Sequence, residues 1–197
     1  MSWKKWLCIA GLVVTAGCEI QACQRYGNNY HIVIDPKFSP LEVSVIHSAI
    51  DQWIMKLQDK GINLGIDYLG QAECEAGEKE EGKICIHYSN SLQMIELGLE
   101  SSTGGSVAIT TRFVNDSSDI WIDMDEWTGN SPLECFSHNI QHEMGHAFGL
   151  LHTETGVMFW WYNLNPDPRA SFDVNEVDVE QYLWWRHLSN QTPDFYH

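Results

Sequence analysis

Apolar residues recur along this chain with two different spacings, and the changes from one to the other mark out its elements. Tyr30 to Ile34 (Y-H-I-V-I) is a β-branched run closed by Asp35-Pro36, which predicts a first strand. Ser39-Pro40 then opens a helix, with the serine as cap and the proline at the first helical position. Leu41, Val45, Ile46, Ala49, Ile50, Trp53, Ile54 and Leu57 follow at steps of three and four, so the helix is amphipathic and ends near Gly61. Ile62 to Leu69 alternates apolar with polar residues and predicts a half-buried strand. Gln71 to Gly82 is rich in Glu and Gly and reads as a solvated loop, and Lys83 to Tyr88 is a short strand. Ser89 to Gly105 reads as a polar loop with room for a short helix over Leu92 to Leu99. Ser106 to Val114 and Asp119 to Met124 flank the turn-rich Asn115-Asp116-Ser117-Ser118 and predict an antiparallel hairpin. Ser131-Pro132 opens a central helix whose buried stripe is Phe136, Ile140, Ala147 and Leu151, and Asp173 to Leu188 has helical periodicity again. Strands and helices thus mix in an α+β chain, with no internal repeat and no second domain.

The first residues do not belong to that pattern. Lys4 and Lys5, the apolar run Trp6 to Ala16 and the small residues before Cys18 resemble a bacterial lipoprotein signal. The resemblance implies a signal peptide over 1–17, cleavage before Cys18 and a lipid on the Cys18 thiol, though a leucine is usual where Thr15 stands. An ordinary secretory signal cut nearby is the alternative; a membrane-spanning helix is not, because the run is too short for about 30 Å of hydrocarbon. Residues 18–197 then form a single exported domain, lipid-anchored to a bacterial membrane and facing the periplasm or the exterior, and read as a monomer.

A formal charge of −16 argues against a nucleic-acid partner, whose phosphates demand basic surface. The sequence has six cysteines. With Cys8 lost and Cys18 lipidated, Cys23, Cys74, Cys85 and Cys135 are left in an oxidising compartment. Of the three pairings, Cys74 with Cys85 across the short acidic loop is favoured, which leaves Cys23 with Cys135. No C-x-x-C supports a zinc site built on these thiols.

The chemistry concentrates in His142 to His152, H-E-M-G-H-A-F-G-L-L-H. His142 and His146 lie four apart and so project from one helix face about a turn apart. Gly149 tolerates positive φ, which lets the helix stop and the chain turn back to bring in His152. Three imidazoles suit one Zn²⁺ and leave its fourth position open, the arrangement of catalytic rather than structural sites. Glu143 sits about 100° round the helix from His142, placed to serve as general base without ligating. A lone His-Glu-x-x-His arises by chance in many helices, but the further glycine and histidine at fixed offsets make chance a poor account. His31 reads as an exposed strand residue, His47 and His87 as structural, and His138, at the helix start, as a residue near solvent, with support of the ligands or contact with substrate as its alternative.

This motif, with Gly156-Val157-Met158 after it, resembles the metzincin zinc endopeptidases. The resemblance implies zinc ligands His142, His146 and His152, catalytic Glu143 and Met158 in the Met-turn beneath the metal. Asp119 to Thr128, with its acidic cluster and Trp127-Thr128, resembles the matrixin branch, whose acidic residues often bind calcium; Asp123, Asp125 and Glu126 are the candidates here. It implies a metzincin-like zincin: a mixed twisted sheet of about five strands, a long helix, the zinc-binding helix, the Met-turn and a C-terminal helix. An extended protein or peptide substrate would lie along the strand around Ser106 to Phe113. Some metzincins place a tyrosine two positions after the Met-turn methionine; Trp160 stands there in this chain, so that role does not carry over. The aromatic run Phe159-Trp160-Trp161-Tyr162 reads equally as a wall of the substrate pocket or as packing. The alternative to a protease is a catalytically silent surface lipoprotein that keeps the fold for binding.

Overall fold

The computed structural model describes residues 29–77, 79–99, 108–113, 115–125, 133–159 and 173–191. Among them run β1 (Asn29–Ile34), α1 (Pro40–Gln58), β2 (Gly65–Gln71), β3 (Lys83–Ser89), α2 (Ser91–Glu96), β4 (Ala108–Arg112), β5 (Ser118–Asp123), α3 (Leu133–Ala147) and α4 (Glu176–Gln191). The strands form one sheet in the order β2-β1-β3-β5-β4. β1, β2, β3 and β5 pair in parallel, and β4 pairs antiparallel with β5 in the hairpin that the turn residues predict. The α+β class and the five-stranded mixed sheet therefore stand, with β4 at one edge.

α1 starts on a reciprocal cap. The Glu42 N–H donates to Ser39 Oγ at 3.4 Å while the Ser39 N–H donates to the Glu42 carboxylate at 2.7 Å, satisfying two donors that a helix start leaves over. Ile46, Ala49, Ile50, Trp53 and Leu57 of its stripe are buried, but Leu41 is 59% exposed. Spacing fixes the angular position of a residue on a helix; it does not fix how far along the axis the opposing layer reaches.

Alternation along the strands separates two faces. Ile84, Ile86, Ile120 and Ile122 join the core shared with α1 and α3. Cys85, His87, Asp119 and Trp121, which alternate with them, lie on the reverse face. The segment between β2 and β3 covers that face and is tied down by the Cys74–Cys85 disulfide, Cα–Cα 6.1 Å. This corrects the reading of Gln71 to Gly82 as simply solvated: the Gly77 N–H donates to Asp119 Oδ2 at 2.7 Å, and Lys79 reaches Asp119 Oδ1. Cys135 is buried in α3, and its suggested partner Cys23 lies outside the described residues, as do the signal segment, Cys18 and the Ser131-Pro132 cap. No helix among the described residues is long and apolar enough to cross a membrane.

Candidate metal centre

α3 runs under the helix-side face of the sheet, fixed to α1 where the Trp53 indole N–H donates to the Gln141 carbonyl at 2.9 Å. It ends at Gly149, φ 91°, in two bonds that close the helix: Gly149 N–H to His146 O at 2.8 Å and Leu150 N–H to Gly145 O at 2.9 Å. That reversal carries His152 back to the face of His142 and His146. The three Nε2 atoms stand 3.1–3.2 Å from one another. Ligands at about 2.0–2.1 Å from a tetrahedral ion are about 3.3–3.4 Å apart, so the cage has the dimensions of a zinc site.

The ring protons are placed as metal ligands would need them. His142 Nδ1 donates to the Val157 carbonyl at 2.7 Å and His146 Nδ1 to the Leu150 carbonyl at 2.8 Å. A carbonyl only accepts, so both neutral rings carry their proton on Nδ1 and turn a bare lone pair inward at Nε2. Lone pairs 3.1 Å apart repel, and a cation among them would relieve that repulsion. Burial drives both His142 and His146 down to about 4, which keeps the rings neutral as metal ligation requires. Burial also lowers His152.

Met158 is buried beneath this helix. A Cβ built on Gly145 would lie 2.2 Å from the Met158 sulfur and 3.1 Å from the Trp53 ring, so a larger residue there would have to push the methionine aside between the turns bearing His142 and His146. The turn itself is held by Asp178, at the start of α4. Its carboxylate accepts from the N–H groups of Val157 at 3.1 Å, Met158 at 3.2 Å and Asn175 at 2.9 Å. Burial nevertheless raises the Asp178 carboxyl above the usual range, the three bonds opposing it. Gly156, φ 91°, passes so close that a Cβ there would meet Asp178 Oδ1 at 2.5 Å. Sequence reasoning missed Asp178; an acid between Val177 and Val179 in a first helical turn reads as a dipole partner, and only the fold shows it buried.

Glu143 is 6% exposed. Its Oε2 accepts from the Thr110 hydroxyl of β4 at 2.6 Å, and that hydroxyl also lies 3.0 Å from the Glu143 carbonyl. Burial raises the Glu143 carboxyl, while the His146 ring and the Thr110 hydrogen bonds work to lower it. Thr110 was not among the residues the motif indicates.

A second group of ligating types comprises Cys85, His87 and Asp119. Its chemistry is already spent. Cys85 is oxidised with Cys74, and Asp119 Oδ1 receives both His87 Nε2, at 2.6 Å, and the Lys79 ammonium. Burial alone would raise Asp119, but His87, Lys79 and the Gly77 N–H outweigh it and hold the carboxyl below its usual range. His87 also stacks on Trp121 at 4.0 Å, consistent with the structural role read from its isolation.

His138 is 1% exposed, with its ring 6.4 Å from that of His142, which corrects the reading of it as a residue near solvent. Of the calcium candidates, Asp123 is buried and accepts from the Ser91 hydroxyl and the Asp125 N–H, Asp125 is exposed, and Glu126 lies outside the described residues. Phe159 is buried, whereas Trp160, Trp161 and Tyr162 also lie outside.

No family model matches the chain. It is similar to a protein described as a probable matrix metalloproteinase 095L of Invertebrate iridescent virus 3, 29% identical over an alignment of 110 residues that takes in 45% of this chain. The match covers only 28% of that relative's length. Among solved structures, the GM1-bound form of the ECX AB5 holotoxin matches 82% of this chain and 72% of its own at 13% identity and a TM-score of 0.39, a likeness too slight to carry an argument. The viral similarity supports, at a distance, a relationship to metalloproteinases.

Proposed function

We propose that this chain is a zinc-dependent endopeptidase that hydrolyses peptide bonds in extended segments of protein. One observation carries the reading: three ring nitrogens converge within 3.2 Å, two of them with their protons committed elsewhere, beside a buried glutamate that is not one of them. The viral similarity points the same way.

His142, His146 and His152 would hold the ion, and Val157 O and Leu150 O keep two of the rings in the ligating tautomer. A zinc ion there would supply Lewis acidity towards water and the scissile carbonyl. Glu143 removes the proton from the attacking water and delivers it to the departing amine. Its burial helps, since a carboxyl raised above its ordinary range exchanges protons more evenly near neutral pH. β4, last in the sheet order, offers its outer edge to an extended chain for main-chain pairing, and Thr110 faces α3 from the same strand. Pairing of that kind takes locally unfolded segments and excludes folded ones. We further read residues 1–17 as a lipoprotein-type signal and Cys18 as the lipid attachment point, so that the domain works outside the cytoplasm as a membrane-anchored monomer, with calcium at Asp123, Asp125 and Glu126 as a structural addition.

Zinc-loaded protein mixed with an unstructured substrate is expected to release fragments that mass spectrometry reads as internal cuts, and a chelator should stop the release. Glu143→Gln should lower the rate by about 10²- to 10⁴-fold. Substrate left whole by the wild type, or cut equally by Glu143→Gln, overturns the proposal.

A further inference from the structure

We infer that Thr110 is the positioning residue of the general base: its hydroxyl fixes the Glu143 carboxyl so that one oxygen is committed to the edge strand and the other is left for the reacting water. The inference rests on the endopeptidase reading and adds to it a residue outside the histidine motif.

The register of the hairpin puts Thr110 there. Thr110 pairs with Ile120, whose side chain is wholly buried on the helix side of the sheet, and directly paired residues point the same way. Ile109 and Thr111, paired with Trp121 and Asp119, point to the reverse face. A slip of one residue would therefore take the hydroxyl away from α3 altogether.

A hydroxyl has one proton and two lone pairs, and Thr110 has two groups of Glu143 within reach. While Glu143 is a carboxylate, the Thr110 O–H donates to Oε2, 2.6 Å away. Once Glu143 has taken the water's proton on the oxygen that faces the water, Oε2 is left as a neutral carbonyl-type oxygen and still accepts from the Thr110 O–H, 2.6 Å away. Both forms of the base are thus hydrogen-bonded with no heavy atom moving. The carboxyl therefore keeps one orientation while it accepts a proton and while it gives the proton up. The β-branch limits the rotation of the Thr110 side chain, which adds to the fixity. The strand that would carry the substrate main chain is also the strand that orients the base, so the scissile bond and Glu143 share one frame of reference.

The test compares Thr110→Val, which keeps the shape and loses the hydroxyl, with Thr110→Ser, which keeps the hydroxyl. A hydrogen bond to a charged group is worth enough that kcat for Thr110→Val should fall about 10- to 100-fold, with KM within about twofold and zinc affinity, measured by chelator competition, unchanged. Thr110→Ser should stay within about threefold of wild type. In the Glu143→Gln background, Thr110→Val should cost nothing further, whereas a merely structural role would lower both backgrounds alike. In metal-free protein, the ¹³C-labelled Glu143 carboxyl should give one sharp resonance in wild type and Thr110→Ser, and a broadened or displaced one in Thr110→Val. Should Thr110→Val not fold, Thr110→Ala reads the same quantities. Active wild type matched in kcat by Thr110→Val, or a Thr110→Ser as impaired as Thr110→Val, overturns the role of Thr110 and leaves the endopeptidase standing. Inactive wild type removes both.

Discussion

The two faces of the sheet bury histidine in opposite ways. On the reverse face His87 Nε2 ends on Asp119, which Lys79 and Gly77 also engage, so each polar group there has an opposite number. On the helix side His142 and His146 spend their Nδ1 protons on carbonyls, and the nitrogens left over face one another. The first arrangement is complete as protein. The second leaves inward lone pairs that a cation would satisfy, and that contrast separates His142, a candidate ligand, from the structural His87 although both are buried.

Removing a ring from each face should separate them most widely. His146→Ala is expected to lose the metal and with it cleavage, read as the zinc-to-protein ratio after dialysis, while His87→Ala retains the ion. On the reverse face the damage should appear as stability: Asp119→Ala strands the Lys79 ammonium in a buried place and is expected to cost about 3–5 kcal/mol in a urea melt. Zinc lost from His87→Ala, or retained by His146→Ala, would erase the distinction.

A smaller effect comes from filling the space under the helix. Gly145→Ala sets a methyl group against the Met158 sulfur and the Trp53 ring, and overpacking of this kind costs about 1–3 kcal/mol. Because the displaced groups lie between the turns bearing His142 and His146, zinc affinity should fall along with the melting temperature.

Acid provides the most gradual contrast. In the metal-free protein, burial holds His142 and His146 at about 4, below the ordinary 6.5. The unfolded chain therefore takes up protons that the fold refuses, and stability should decline as pH falls from about 6.5 towards 4. The Asp119 carboxyl is also held below its ordinary 3.8, so its contribution is present above that value and is lost only as pH falls through its lower, folded-state value. Urea midpoints against pH should show the first decline in wild type and not in a variant lacking both ligand rings. Asp119→Asn should alter only the second.

What could be read in advance divides along the same line. The α1 stripe, the β4–β5 hairpin and the His142, His146, His152 spacing are local patterns, in which residues that must meet stand a few positions apart. Residues that meet only through the fold left no such trace. Thr110 reaches Glu143 across strand and helix, and Asp178 reaches back to Val157 and Met158 from the last helix. The burial of His138 and the descent of Gly77 and Lys79 onto Asp119 are of the same sort. Periodicity tells which side of an element is apolar, and it is silent on what the other elements bring against that side. The disulfide was within reach because its cysteines flank one short loop, eleven positions apart.

Asp178 also sets a timetable. A chain made from its N-terminus possesses all three imidazoles well before residue 178 exists, yet the peptide group that receives the His142 proton is steadied by that carboxylate. Any ion the histidines take would thereby wait on the arrival of α4, since an unfinished polypeptide would hold its histidines above a turn that nothing yet braces.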